Sequence, residues 1–199
     1  MRYFIQHGLP SDQRSQAAAL YWEAFHNKLH PLMQPEAKAR LFLEAALQPD
    51  HAICAIGPKG DLLGLAGVKT ENGAMVGGGL PDLARVYGWP GAVWRGALLT
   101  FLERQIRPGV LLMDGICVAS TMRGQGIGKA LLDAVKSLAA ERGDHAVRLD
   151  VITTNNRAEA LYRREGFAPV KRQGTGPLCW LAGFGSALQM EYAVAQKNA

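Results

Sequence analysis

The residues Arg123-Gly124-Gln125-Gly126-Ile127-Gly128-Lys129 stand between an apolar stretch and the start of an amphipathic pattern. Where a strand gives way to a helix, the first N–H groups of the helix have no partners of their own. Glycines let an anion approach that backbone, the helix end carries partial positive charge, and Arg123 and Lys129 add full charges. The segment therefore reads as a site for a phosphate-bearing ligand, with a tight glycine turn lacking any ligand as the alternative. Two familiar phosphate loops do not fit. A Walker loop needs glycine where Arg123 stands and serine or threonine where Ala130 stands, and a dinucleotide fingerprint needs glycine where Lys129 stands.

Downstream runs a second pattern, Asn155-x-x-Ala158-x-x-Leu161-Tyr162-x-x-x-Gly166-Phe167, separated from the first by one helix and one strand. Arg123-x-x-Gly126-x-Gly128 after a buried strand resembles the pyrophosphate loop of the Gcn5-related N-acetyltransferase (GNAT) superfamily, and the second pattern resembles that superfamily's other coenzyme A motif. The likeness covers about residues 110–170 closely and the rest only in the order of elements.

The resemblance implies a mixed, mostly antiparallel sheet with a splayed parallel pair at its centre, flanked by helices. It implies acetyl-coenzyme A as cosubstrate, lying in the gap beside the strand that ends at Val118. Backbone groups of Ile116, Cys117 and Val118 would meet the acetyl carbonyl and pantetheine arm, stabilising charge in the tetrahedral intermediate. Arg123, Gly124, Gln125, Gly126, Ile127, Gly128 and Lys129 would hold the pyrophosphate, with Asn155 and Ala158 bordering the pantetheine. Tyr162 would stand near the sulfur and protonate it as it leaves, a role open to a phenol; a packed aromatic is the alternative. Transfer would be direct, to a primary amine in a ternary complex, with no metal. A longer acyl group, or a non-catalytic acyl-coenzyme A sensor, are the other readings.

A neutral attacking amine must lose a proton to some group. Asp114 lies four before Val118, and strand alternation places it on the face of Ile116 and Val118. It matches the place of a proposed base in several members of the superfamily, although many of those have the longer glutamate. A structural carboxylate, or one that binds a cationic substrate, is the alternative. Cys117 falls on the opposite face, where packing is the ordinary role.

The elements that position these residues follow from pattern. Residues 2–6 read as a strand, and Ser11 or Asp12 caps a helix to about residue 28. Pro35 opens a second helix to about Leu47. Strands at 51–56 and 62–69 form a hairpin across Gly57-Pro58-Lys59-Gly60-Asp61. An insertion at about 71–107 is glycine-rich at first and helical from about Ala92 to Gln105. A central strand at 110–119, a helix at 124–142, a strand at 146–152 and a helix to Glu165 form a parallel unit. A short strand to about Val170 follows, and Ala187–Ala195 closes the sheet.

With 199 residues, 48% hydrophobic and 20% charged, one domain spanning residues 1–199 is expected, and disorder is excluded. A net charge of +5 from scattered basic residues favours an anionic ligand without indicating nucleic acid. Cys54, Cys117 and Cys179 are too few and too far apart for a disulfide framework or zinc cluster, which fits a cytoplasmic protein. No apolar run is long enough to imply a membrane partner. The partner is expected to be a small-molecule or peptide amine, and a homodimer is left open. Walls for that amine are expected from His26–Gln34, from Tyr87, Trp89 and Trp94, and from the loop with Trp180 and Phe184.

Overall fold

The computed structural model describes residues 2–101, 104–174 and 185–195. Its frame is an eight-stranded sheet that consists of β1 (Phe4–His7), β2 (Ala52–Ile56), β3 (Leu62–Thr70), β4 (Gly73–Ala74), β5 (Val110–Val118), β6 (Ala146–Ile152), β7 (Ala168–Gly174) and β8 (Ser186–Ala193). The spatial order is β1-β2-β3-β5-β6-β8-β7, with β4 added to β3. All neighbours are antiparallel except β5 and β6. The last strand does not close the sheet: β8 inserts between β6 and β7, and β7 forms the edge.

The parallel pair holds only at its start. Val110, Leu111 and Leu112 of β5 lie opposite Ala146, Val147 and Arg148 of β6, and beyond these the strands separate while each keeps its outer neighbour. Within β5 the register against β3 slips: Gly67 faces Gly115, but Val68 faces Met113. Asp114 is thus an extra residue, a bulge that breaks alternation in the middle of the central strand.

Helices cover both faces. On one side lie α1 (Arg14–Met33), α2 (Glu36–Ala46) and α3 (Leu80–Phe101), packing Leu20, Trp22 and Phe42 on Leu65 and Cys117. On the other, α4 (Ile127–Arg142) and α5 (Asn156–Arg164) bring Leu131, Val135 and Tyr162 against Ala66, Leu111 and Leu149.

Two helices differ from expectation. α1 runs on to Met33 with Pro31 in its last turn. There the buried Leu32 and Met33 repay the one backbone bond that proline removes. The insertion is helical from Leu80, twelve residues before the expected start at Ala92, with a break at Gly88 (φ 71°). Sequence reading took its glycines for loop, but only Gly88 departs from helical geometry inside the element.

Candidate active site

α4 begins without a side-chain cap. Gly126 takes a left-handed conformation (φ 80°) as its N-cap, Gly124 does the same (φ 81°), and the first helical bond runs from Ala130 N–H to the Gly126 carbonyl at 3.0 Å. The N–H groups of Ile127, Gly128 and Lys129 precede that bond and stay open to a ligand. Gly126 faces space: a Cβ there would find only Tyr3 Oη, at 3.8 Å. Gly128 is packed instead, since a Cβ would lie 3.3 Å from Leu161 of α5. The two motifs of the sequence are thereby neighbours in space.

The flanking cations are differently used. Lys129 Nζ binds Asp133 at 2.7 Å and Glu165 at 3.1 Å, which hold its pKa above the ordinary value. Arg123 turns back, its Nε donating to the Val118 carbonyl at 3.2 Å, with Glu23 3.8 Å from its guanidinium. Gln125 is exposed beside Met122. The loop offers an anion mainly backbone N–H groups.

The gap beside β5 has a definite lining. Ala119 N–H donates to the Leu63 carbonyl opposite it, so alternation turns the backbone of Cys117 toward β3 and that of Ile116 and Val118 toward the gap. Of the three positions expected to bind through their backbone, Cys117 faces the wrong way. Its thiol is buried on the α1 side and pushed up to about 12 by burial, as is that of Cys54. Tyr162 lies on the gap's other side, 6% exposed, in the cluster that contains Ile116 and Val118. Burial raises its pKa, opposed weakly by Arg104. Its ring packs against Phe167 at 5.9 Å between centroids. Asn155 caps α5, accepting from Ala158 N–H at 3.1 Å, which leaves its amide NH₂ available.

Asp114 is the main correction. The bulge turns it away from the face of Ile116 and Val118 and onto the face of Cys117, where it lines a cavity of about 690 Å³ between α1, α2, α3 and the sheet. Alternation fails as a guide wherever a bulge adds a residue, and nothing in Met113-Asp114-Gly115 announced one except the glycine.

Sequence reasoning also missed the groups around Asp114. Arg104 bridges the separated strands, its Nε 3.0 Å from Asp150 of β6 and Nη1 3.7 Å from Asp114 of β5. Arg148 reaches Asp150 at 3.4 Å. The buried phenol of Tyr21, whose pKa is raised by burial and then by Asp114, shares the cavity with Lys28. A signal was present: Tyr21, Phe25, Lys28 and Leu32 form one stripe of α1 at helical spacing, and a lysine in an apolar stripe is unusual.

From the expected wall His26–Gln34, Lys28, Leu29, Leu32 and Met33 line the cavity, whereas His26 and His30 do not; their rings are tilted with centroids 4.6 Å apart. The insertion contributes Leu80, Leu83, Val93 and Thr100 instead of its aromatics. Trp89 (64% exposed) and Trp94 (44%) face outward, and Tyr87 donates to the Met33 carbonyl at 2.7 Å. Trp180, Phe184 and Cys179 lie outside the described residues. Among the described residues no cluster of three metal-ligating side chains occurs, and no helix is long and apolar enough to cross a membrane.

Comparison with known proteins points one way. The family model described as the acetyltransferase (GNAT) family matches residues 15–167. No curated protein matches the sequence. A solved structure described as histone acetyltransferase HPA2 and related acetyltransferase, from Corynebacterium glutamicum, is similar with TM-score 0.67 at 21% identity, covering 100% of both chains. A structure described only as an acetyltransferase gives TM-score 0.64 at 19% identity, over 96% of this chain and 100% of that one. A GCN5-related N-acetyltransferase from Kribbella flavida gives 0.58 at 16%, over 96% and 97%. At these identities the likeness is one of fold.

Proposed function

The chain belongs to the acetyltransferase (GNAT) family, whose model matches residues 15–167, and is an acyltransferase; on that premise we propose that it moves the acetyl group of acetyl-coenzyme A onto a primary amine by direct attack in a ternary complex. The observation that supports this best is the separation of β5 and β6 past Leu112 and Arg148, where Arg104 spans from Asp150 to Asp114 and, with Asp114, lines the cavity. A thioester arm in that gap has the inward backbone groups of Ile116 and Val118 beside it. Its pyrophosphate has the free N–H groups at the start of α4, and its amides have the Asn155 NH₂.

In the reaction the amine lone pair forms a bond to the acetyl carbon, and negative charge collects on the carbonyl oxygen. A fixed backbone N–H stabilises that charge without reorganising. The carbon–sulfur bond then breaks, its electron pair goes to sulfur, and the Tyr162 hydroxyl gives sulfur a proton. The surplus proton of the amine passes to Asp114, directly or through water. Asp114 faces the cavity and Tyr162 the opposite layer, so the acid and the base approach the gap from opposite sides of the sheet.

Calorimetric titration with acetyl-coenzyme A tests the reading, with Gly126→Trp to fill the mouth of the loop. Saturable binding by the wild type, lost in the variant, is expected, followed by thiol release when an amine is added. A folded wild type that does not bind would overturn the proposal. Binding without thiol release across a broad amine panel would favour a sensor.

A further inference from the structure

The cavity behind Asp114 has the size of a small-molecule site. Its walls are apolar, among them Leu29, Leu32, Met33, Phe42, Val76 and Leu83, but its charged groups are unequal: Lys28, Lys69 and Arg104 against the single carboxylate of Asp114. Arg104 already has Asp114 and Asp150, and Lys69 donates to the Arg104 carbonyl at 3.3 Å. Lys28 has neither ion pair nor hydrogen bond among the described residues. Burial, reinforced by the positive charge of Arg104, pushes its pKa down to about 8, against the attraction of Asp114 and Asp150. A partly buried ammonium in an apolar cavity, next to a second cation and paired with no carboxylate at contact distance, is a costly arrangement unless a ligand supplies the anion.

We propose that the acceptor is an amine that also carries a carboxylate on an apolar body, an amino acid of the leucine or phenylalanine kind, with Lys28 as the counter-ion of that carboxylate. This deepens the reading of the chain as an amine acetyltransferase and rests on it. The apolar walls receive the side chain, and the amine turns toward Asp114 on β5. The same charges argue against polyamines, which would bring further cations to Lys28, Lys69 and Arg104. They also argue against peptide N-termini, whose carboxylate has become an amide.

The test separates binding from transfer. Isocaproate, which keeps the carboxylate and branched chain of leucine but lacks the amine, is titrated calorimetrically against isopentylamine, which keeps the amine but lacks the carboxylate. The wild type is expected to bind isocaproate about tenfold or more tightly than isopentylamine, the scale of one charge-assisted bond. Lys28→Met is expected to lose that preference and Lys28→Arg to keep it, with acetyl-coenzyme A affinity unchanged in both. In turnover, leucine and phenylalanine should exceed isopentylamine and phenethylamine in kcat/KM for the wild type and Lys28→Arg but not for Lys28→Met. A wild type that prefers the amines, or a Met variant that still prefers the carboxylate, would overturn the assignment. Failure of acetyl-coenzyme A to bind would instead overturn the transfer reading, while the carboxylate site is decided by its own titration.

Discussion

A phenol serves as a general acid only while it keeps its proton, and burial raises the pKa of Tyr162. Its hydroxyl therefore stays protonated beyond pH 10, the ordinary value for tyrosine. Tyr162→Phe should lower kcat by about a hundredfold or more, the usual scale for such a group, with little change in KM for acetyl-coenzyme A. Pre-steady-state thiol release checks this, and an unchanged kcat would return Tyr162 to simple packing against Phe167. Lys28 makes a different prediction, about stability. An unfolded lysine titrates near 10.4 and the folded one near 8, so below pH 8 both are charged and the folded state bears the full cost. Between those values the unfolded chain holds the extra proton, so stability gains as pH rises, and above them the cost is gone. Lys28→Met should consequently be more stable than wild type at pH 7, by up to about 3 kcal/mol before its partial exposure is discounted. Urea denaturation at pH 7 and above pH 10 should show the difference shrink. The groups that face Lys28, namely Arg104, Asp114 and Asp150, are unchanged in the variant, so the difference reports Lys28. Asn155 and Tyr162 were singled out by the resemblance of their segment to a family motif, and the structure puts the first at the start of α5 and the second on its buried face. The orientation of Asp114 was not legible, because it depends on a register slip that only the partner strand β3 reveals.

At the scale of elements, two sites separate structure from binding. Asn155 caps α5 through its side-chain oxygen and leaves its amide NH₂ for a ligand. Asn155→Ala should cost about 1 kcal/mol and weaken acetyl-coenzyme A, whereas Asn155→Asp keeps the capping oxygen and loses the donor. Thermal denaturation should find the Asp variant close to wild type while calorimetry finds it a weaker binder; equal binding by the two would make Asn155 a cap alone. Gly115 lies next to the bulge, under Phe25, whose ring would be 2.6 Å from an added Cβ. Gly115→Ala should then destabilise by about 1–3 kcal/mol through overpacking, readable in urea denaturation. Most elements were legible because their apolar periods are unambiguous, from the stripe of α4 to the run of β5. The exceptions have local physical causes. Pro31 looked like a stop, but a proline in a last turn removes only one bond, and Leu32 and Met33 bury beyond it. The glycines before Ala92 looked like loop, yet Gly88 and Gly91 fall within α3, which breaks only at Gly88. The placing of β8 between β6 and β7 depends on long-range pairing, which no local pattern carries.

Across the whole molecule, two binding problems are solved by different electrostatics. Acetyl-coenzyme A would approach from solvent as a polyanion toward a chain with net charge +5. The cations next to its loop are engaged by Glu23, Asp133 and Glu165, so long-range charge would draw it in and backbone N–H groups would hold it. The acceptor would meet a charge inside the cavity, where solvent ions screen poorly. Ionic strength should distinguish the two. Between about 0.01 M and 0.15 M salt the screening length falls from about 30 Å to about 8 Å, and KM for acetyl-coenzyme A should rise severalfold. KM for phenylalanine should change much less, since its interaction with Lys28 is short-range and sheltered. Steady-state kinetics over that range, at fixed pH 7 so that Lys28 stays protonated, provides the comparison. A flat KM for acetyl-coenzyme A would mean that the scattered basic residues play no part in capture. A steep rise for phenylalanine would mean that its carboxylate is read at the exposed surface and not at Lys28.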